Sequence, residues 1–177
     1  LLHLLDPHPG IDFATCTTLN SVMNDQPASA QLASGHKNLR LARSALASLI
    51  PVETGLAKGV ARLMPHLEGK LACSHLRLPT LQVSAMDLTL QLKTSSSATA
   101  INQLIEAASQ TQLKDVLGYC AEPLVSVDFT QNPLSSLVDA SQTQMAGDKL
   151  VKLLCWFDNE WAYANRMLEL ASYWLRQ

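Results

Sequence analysis

Four cysteines and five histidines are the residues of this 177-residue chain best suited to nucleophilic or proton-transfer chemistry. A cysteine attacks as its thiolate, which forms at neutral pH beside a helix N-terminus or a nearby cation. Cys16, in the run Cys16-Thr17-Thr18-Leu19-Asn20, has neither close in sequence. Cys73 and Cys155 also lie in apolar, strand-like runs, and Cys120 follows one. No two cysteines form C-x-x-C, the spacing of metal and redox sites. Thiols placed this way are expected to be buried and reduced, which points to the cytosol. His8, His36, His66 and His75 are each expected on the surface or in a loop. Dinucleotide redox chemistry needs G-x-G-x-x-G between a strand and a helix, and that string does not occur in the 177 residues.

The elements that position these residues follow from hydrophobic period. Residues 1–5 read as a helix tail that stops at Asp6-Pro7. Ile11–Asn20 reads as a strand, and 24–38, small and polar, as a long surface loop. Leu39, Ala42, Arg43, Leu46 and Leu49–Ile50 make a short helical face. A helix is predicted over Thr54–Leu67, with Leu56, Val60 and Leu63 inward and Pro65 disturbing its end. Strands are predicted at about 71–78, 82–93, 124–129 and 149–157. In 86–92, Met86, Leu88, Leu90 and Leu92 share one side. Ser95–Ser97 caps a helix over Ala98–Gln110, with Ile101, Leu104, Ile105 and Ala108 inward. The last strand runs into a helix through Asp158 and Asn159, whose short polar side chains suit the free N–H groups of a first turn. That helix carries Trp161, Ala164, Met167, Leu168, Ala171, Trp174 and Leu175 at helical spacing.

Bulk composition narrows the partners. Hydrophobic content is 47% and net charge −2, with Lys and Arg scattered. That leaves no basic footprint for nucleic acid and no polybasic cluster for a membrane. No apolar run reaches the roughly 18 residues of a membrane span. LLHLL lacks the basic flank of a signal peptide. The length suits one domain, 1–177.

CWFDNEWAYANRMLEL (155–170) resembles a signature of the glyceraldehyde-3-phosphate dehydrogenase family, near the end of its catalytic domain. LRLPTLQVSAMDLTLQL (76–92), PVETGLAKGVARLMPHLEGKL (51–71), HKNLRLARSALASLIP (36–51) and EPLVSVDF (122–129) are similar to further family segments, in family order. Trp161 and Met167-Leu168 look most like the erythrose-4-phosphate dehydrogenase branch. The resemblance implies an α+β domain: a mostly antiparallel or mixed sheet of about seven to eight strands, with helices on one face and the C-terminal helix packed on that layer. The other face is open, or pairs with another subunit. It also implies that the NAD-binding Rossmann half of the family is not among these residues.

Cys16 mimics the family's nucleophile string, but the downstream spacings match only if this segment is a later strand. The nucleophile then falls roughly seven residues before Leu1, a figure that comes from testing the motif by its context. Asn20 takes the place of the catalytic histidine. Asn cannot accept a proton at neutral pH and brings no charge to a thiolate. By resemblance Thr54, Gly55 and Arg77 hold phosphate: a hydroxyl, a helix N-terminus and a guanidinium fork. The plainer reading makes Thr54 a helix cap and pairs Arg77 with a carboxylate such as Asp87 or Glu53. Two other anion positions carry Met23 and Leu41, which bring no donors. Asn159 and Tyr163 match residues that face the nicotinamide; as structural residues, Asn159 caps the helix and Tyr163 packs.

The favoured functional reading is a non-catalytic binding or assembly module, without a cofactor, homo-oligomeric through its sheet face and weakly binding phosphate or a sugar phosphate. The alternative is the C-terminal part of a longer NAD-dependent aldose-phosphate dehydrogenase, whose action on either glyceraldehyde 3-phosphate or erythrose 4-phosphate would still lack a base at Asn20.

Overall fold

The computed structural model describes residues 1–22, 40 and 42–176. Alternating apolar residues build a seven-stranded mixed sheet. Its strands are β1 (Ile11–Asn20), β2 (Ile50–Val52), β3 (Leu71–Arg77), β4 (Ser84–Leu92), β5 (Leu117–Cys120), β6 (Ser136–Ala146) and β7 (Leu150–Phe157). They lie in the order β2-β3-β1-β4-β7-β6-β5. The β1–β3 and β5–β6 pairs are parallel, and the rest antiparallel. Helices α1 (Leu2–Leu5), α2 (Leu56–Leu63), α3 (Ala98–Gln110) and α4 (Asn159–Trp174) complete the fold.

The even-numbered leucines of β4 face the core as their spacing predicts. Leu88, Leu90 and Leu92 are 2%, 0% and 0% exposed. Register carries this face across the sheet, from Cys16 opposite Leu88 to Leu153 opposite Leu88 on the other side. Ile101, Ile105 and Ala108 of α3 and Leu4 and Leu5 of α1 close over it, with Leu56, Val60 and Met64 packed at the margin. Each fully buried leucine or isoleucine contributes about 2 kcal/mol through the water it sheds. Ser97 caps α3 by accepting the Ala100 N–H at 3.2 Å. The opposite face is open and mixed: Phe13 is 62% exposed and Lys152 pairs with Asp87 at 2.9 Å.

Several local expectations are corrected. Residues 42–49 form turns rather than a helical face, and Ile50 goes instead into β2, beside Arg77 of β3. Pro51 opposes helix in the residue before it, which favours that outcome. The predicted strand at 124–129 is a 3-10 turn over Ser126–Phe129, because the Asp128 carboxylate turns back to accept the Val125 N–H at 2.8 Å. The strands there are β5 and β6, on either side of it. In α2 the inward residue after Val60 is Met64, and Leu63 is 86% exposed. The C-terminal helix does not pack on the helical layer: within α4 only Ala162 is buried, while Trp161, Tyr163, Met167, Leu168 and Trp174 are exposed. Its apolar residues cover one half of the helix at helical spacing, but that half is turned outward, away from the side on which Ala162 is buried. The expected loop 24–38, Met23, His36, Leu39 and Leu41 lie outside the described residues.

Candidate functional site

The parallel pairing of β1 with β3 sets Cys16 beside Cys73, Thr18 beside His75, and Asn20 beside Arg77. Alternate residues of a strand share a face, so these three rows lie on the side that carries the core. The first row is thiol and largely buried; the next two are polar. The change falls where the helical cover gives way to the first turn of α2. A hollow of about 320 Å³ opens there, lined by Thr18, Asn20, His75, Thr54, Leu56, Met86 and Phe157, with Ser135 and Ser136. A broader one of about 630 Å³, at the β2–β3 edge, shares Thr54 and His75.

His75 is no surface or loop histidine, as its sequence context suggested, but a half-buried strand residue. Its Nδ1 and the Thr18 Oγ1 are hydrogen-bonded at 2.8 Å, and Thr18 also approaches the Ser74 carbonyl oxygen at 3.4 Å. Burial, and after it the Arg77 charge, hold the imidazole below its ordinary value. The alternation Cys73, His75, Arg77 was the signal that could have found it, since Thr18 and Asn20 alternate in the same way on β1.

Asn20 faces the hollow, and its Oδ1 is buried with no hydrogen-bond partner. Thr54 lines the same hollow and accepts the Leu56 N–H at 3.2 Å, so it satisfies one donor of the first turn of α2. Gly55 is the residue at the helix start, with φ −90°, and a side chain added there would meet nothing within 4 Å. Arg77 is 8% exposed and sits in register between Asn20 and Ile50, but lines neither hollow. Of the three residues expected on a phosphate, Thr54 lines the hollow with Asn20, whereas Gly55, at the start of α2, and Arg77, beside Asn20 in the sheet, do not line it. Asp87, one carboxylate considered for Arg77, pairs with Lys152 instead.

Cys16 is a core thiol, 4% exposed, whose pKa burial raises to about 12. It is no activated nucleophile. Cys155 is likewise buried and pushed up to about 12.

At the β7–α4 junction the cap is Asp158, which accepts the Trp161 N–H at 3.0 Å and the Gln131 N–H at 2.9 Å. Asn159 is therefore not the cap. It is the first helical residue, and its Oδ1 accepts the Ser84 hydroxyl at 3.1 Å. Ser84 in turn accepts the Ser21 N–H at 3.3 Å, tying the end of β1 to the start of α4. Tyr163 is 67% exposed, so it does not pack, and it does not join Asn159 in the small polar hollow of about 230 Å³ at this junction. The Asn159 side-chain oxygen is thus engaged by Ser84, and Tyr163 stands apart from it. Among them, no cluster of His, Cys, Asp and Glu suits a metal ion, and no helix is long and apolar enough to cross a membrane.

The model of the family described as glyceraldehyde 3-phosphate dehydrogenase, C-terminal domain, matches residues 1–159.

Proposed function

Since the chain belongs to the glyceraldehyde 3-phosphate dehydrogenase C-terminal domain family, we propose that residues 1–177 form a substrate-recognising domain that binds a small aldose phosphate without oxidising it. The observation that carries this reading is the hollow in which Asn20 stands where the family resemblance sets a histidine. Asn20 cannot take a thiol or hydroxyl proton, yet its buried Oδ1 calls for a donor. The start of α2 beside it offers free N–H groups and about half a positive charge to a phosphate, with Thr54 at its edge. No G-x-G-x-x-G occurs in these residues, and Cys16 is buried.

Calorimetric titration with glyceraldehyde 3-phosphate tests this. Weak, salt-sensitive binding is expected, near millimolar or about 4 kcal/mol. Thr54→Ala should weaken it, and Arg77→Ala separates an anion-binding arginine from a structural one. No binding by the wild type, or NADH formation above background, would overturn the reading. Erythrose 4-phosphate in parallel tests the branch: tighter binding of the longer sugar supports the erythrose-4-phosphate side.

The domain is also proposed to self-associate through its open sheet face, where Phe13 and the Asp87–Lys152 pair lie, and to work in the cytosol with its thiols reduced.

A second reading, the catalytic part of a longer NAD-dependent aldose-phosphate dehydrogenase, draws support from α4. Trp161, Met167, Leu168 and Trp174 are 45%, 49%, 69% and 68% exposed. So much apolar surface on one helix suits cover by another structural unit. Intact mass and gene length decide between the two.

A further inference from the structure

We propose that Cys16 and Cys73 form a reversible disulfide across β1 and β3, closed when a hydroperoxide oxidises Cys73 and Cys16 resolves the product; this goes beyond the binding reading above and does not depend on it. The parallel register sets the two cysteines directly beside each other. Neighbouring strands lie about 4.8 Å apart, inside the Cα separation of about 4.4–6.8 Å that a disulfide spans. Alternation puts both side chains on the core side of the sheet. There the Cys16 S–H donates toward the Cys73 sulfur. The other two cysteines are out of reach of this pair. Cys155 stands opposite Met86 on β7, with β4 between it and β1, a separation of about two strand spacings. Cys120 lies in β5, at one edge of the sheet and five strands from Cys73.

The surroundings divide the roles. Cys16 is 4% exposed, on the floor of an apolar hollow of about 240 Å³ between α1 and α2. Cys73 is half-buried and lines the broader hollow at the β2–β3 edge, where a small hydroperoxide can reach it. Burial raises the Cys73 thiol, and the Cys16 S–H draws it partly back. Burial pushes Cys16 up to about 12, and the same bond adds to the rise. The thiolate therefore forms first on Cys73. It attacks one peroxide oxygen, the O–O bond breaks, and water or an alcohol leaves, with Cys73 now a sulfenic acid. The Cys16 sulfur then attacks the Cys73 sulfur, the S–O bond breaks, and a second water leaves. Two electrons pass from the thiols to the peroxide, and the two thiol protons end on the two departing oxygens. Thiolate is scarce at neutral pH, so closure is slow and follows sustained oxidant. Side chains in parallel register stand farther apart than the roughly 3.8 Å between Cβ atoms of a relaxed disulfide. The bridge therefore closes under strain, and a dithiol reopens it readily.

The test treats the folded wild-type chain with hydrogen peroxide at pH 8, caps the remaining thiols with N-ethylmaleimide in urea, and maps peptides by mass spectrometry without reductant. The expected product is one linked pair, Cys16 with Cys73, two hydrogens lighter than the free peptides and lost on adding dithiothreitol. Cys16→Ser should stop at a Cys73 sulfenic acid that dimedone traps, and Cys73→Ser should leave Cys16 a thiol. Phenylarsine oxide, which needs two thiols at close range, reads the pair without any variant: folded wild type should take up one arsenic and lose its peroxide-driven link. Absence of the linked peptide, links to Cys120 or Cys155 in the folded chain, Cys73 sulfinic acid beside a Cys16 thiol, or no arsenic uptake would each overturn the proposal.

Discussion

At the scale of single residues, this domain turns on what surrounds each titratable group. Cys16 has the composition of a nucleophile and the environment of a core residue. Its thiol, pushed up to about 12 by burial, should resist alkylation by iodoacetamide at pH 7–8, whereas the partly exposed Cys73 and Cys120 react first. Early labelling of Cys16, followed by mass spectrometry, would contradict its placement. For the same reason Asn20→His should not create NADH formation from glyceraldehyde 3-phosphate in residues 1–177: a base restored beside a buried thiol has nothing to activate. His75 contributes the opposite kind of signal. Its folded-state pKa lies below the ordinary 6.5, so between those two values the unfolded chain binds more protons than the folded one. Stability contributed by His75 is therefore complete above pH 6.5 and lost as pH falls through the lowered value. Urea unfolding across pH 4–8 should show this slope in wild type and less of it in His75→Gln.

Among the elements, α3 and α4 show how far periodicity reaches. In α3 the inward set Ile101, Ile105 and Ala108 is 1%, 0% and 3% exposed, so Ile105→Ala should cost about 2–5 kcal/mol. Leu168→Ala in α4, 69% exposed, should lie within about 0.5 kcal/mol of wild type in chemical denaturation. Both helices carry apolar residues at helical spacing, so the sequence alone does not tell that the stripe of α3 is covered and that of α4 is left open. Asp158→Ala should cost about 1 kcal/mol for the lost cap, and more through the Gln131 N–H it also holds.

Long, strongly alternating strands such as β4, and the capped helix α3, were legible because one face decides them. The stretch 124–129 was not, since Val125 and Val127 invite a strand and only the reach of the Asp128 side chain makes it a turn. The candidate site was half legible. Asn20 and Thr54 stand out in the sequence, but His75 enters only once β1 and β3 are known to be parallel and in register. A pairing between residues 57 positions apart leaves no local mark.

For the whole molecule, the open sheet face and the exposed α4 predict association rather than a monomer. Light scattering at tens of micromolar should report a dimer or larger, and Phe13→Lys should shift it toward monomer; a monomeric wild type would speak against the face. The strand order has a different consequence, in time rather than in structure. Strands β3 and β4 follow one another in the chain, yet β1 lies between them, and β4 finds its other neighbour in β7. Among the described residues only β6 and β7 meet as a hairpin, across a short turn where Gly147 takes φ +67°. Every other pairing must close a long loop before it gains anything, so refolding is expected on the slow, millisecond-to-second side. The β6–β7 hairpin, cheapest to close, is then the natural nucleus. Gly147→Ala, which forces a side chain into a left-handed turn, should slow refolding more than it speeds unfolding.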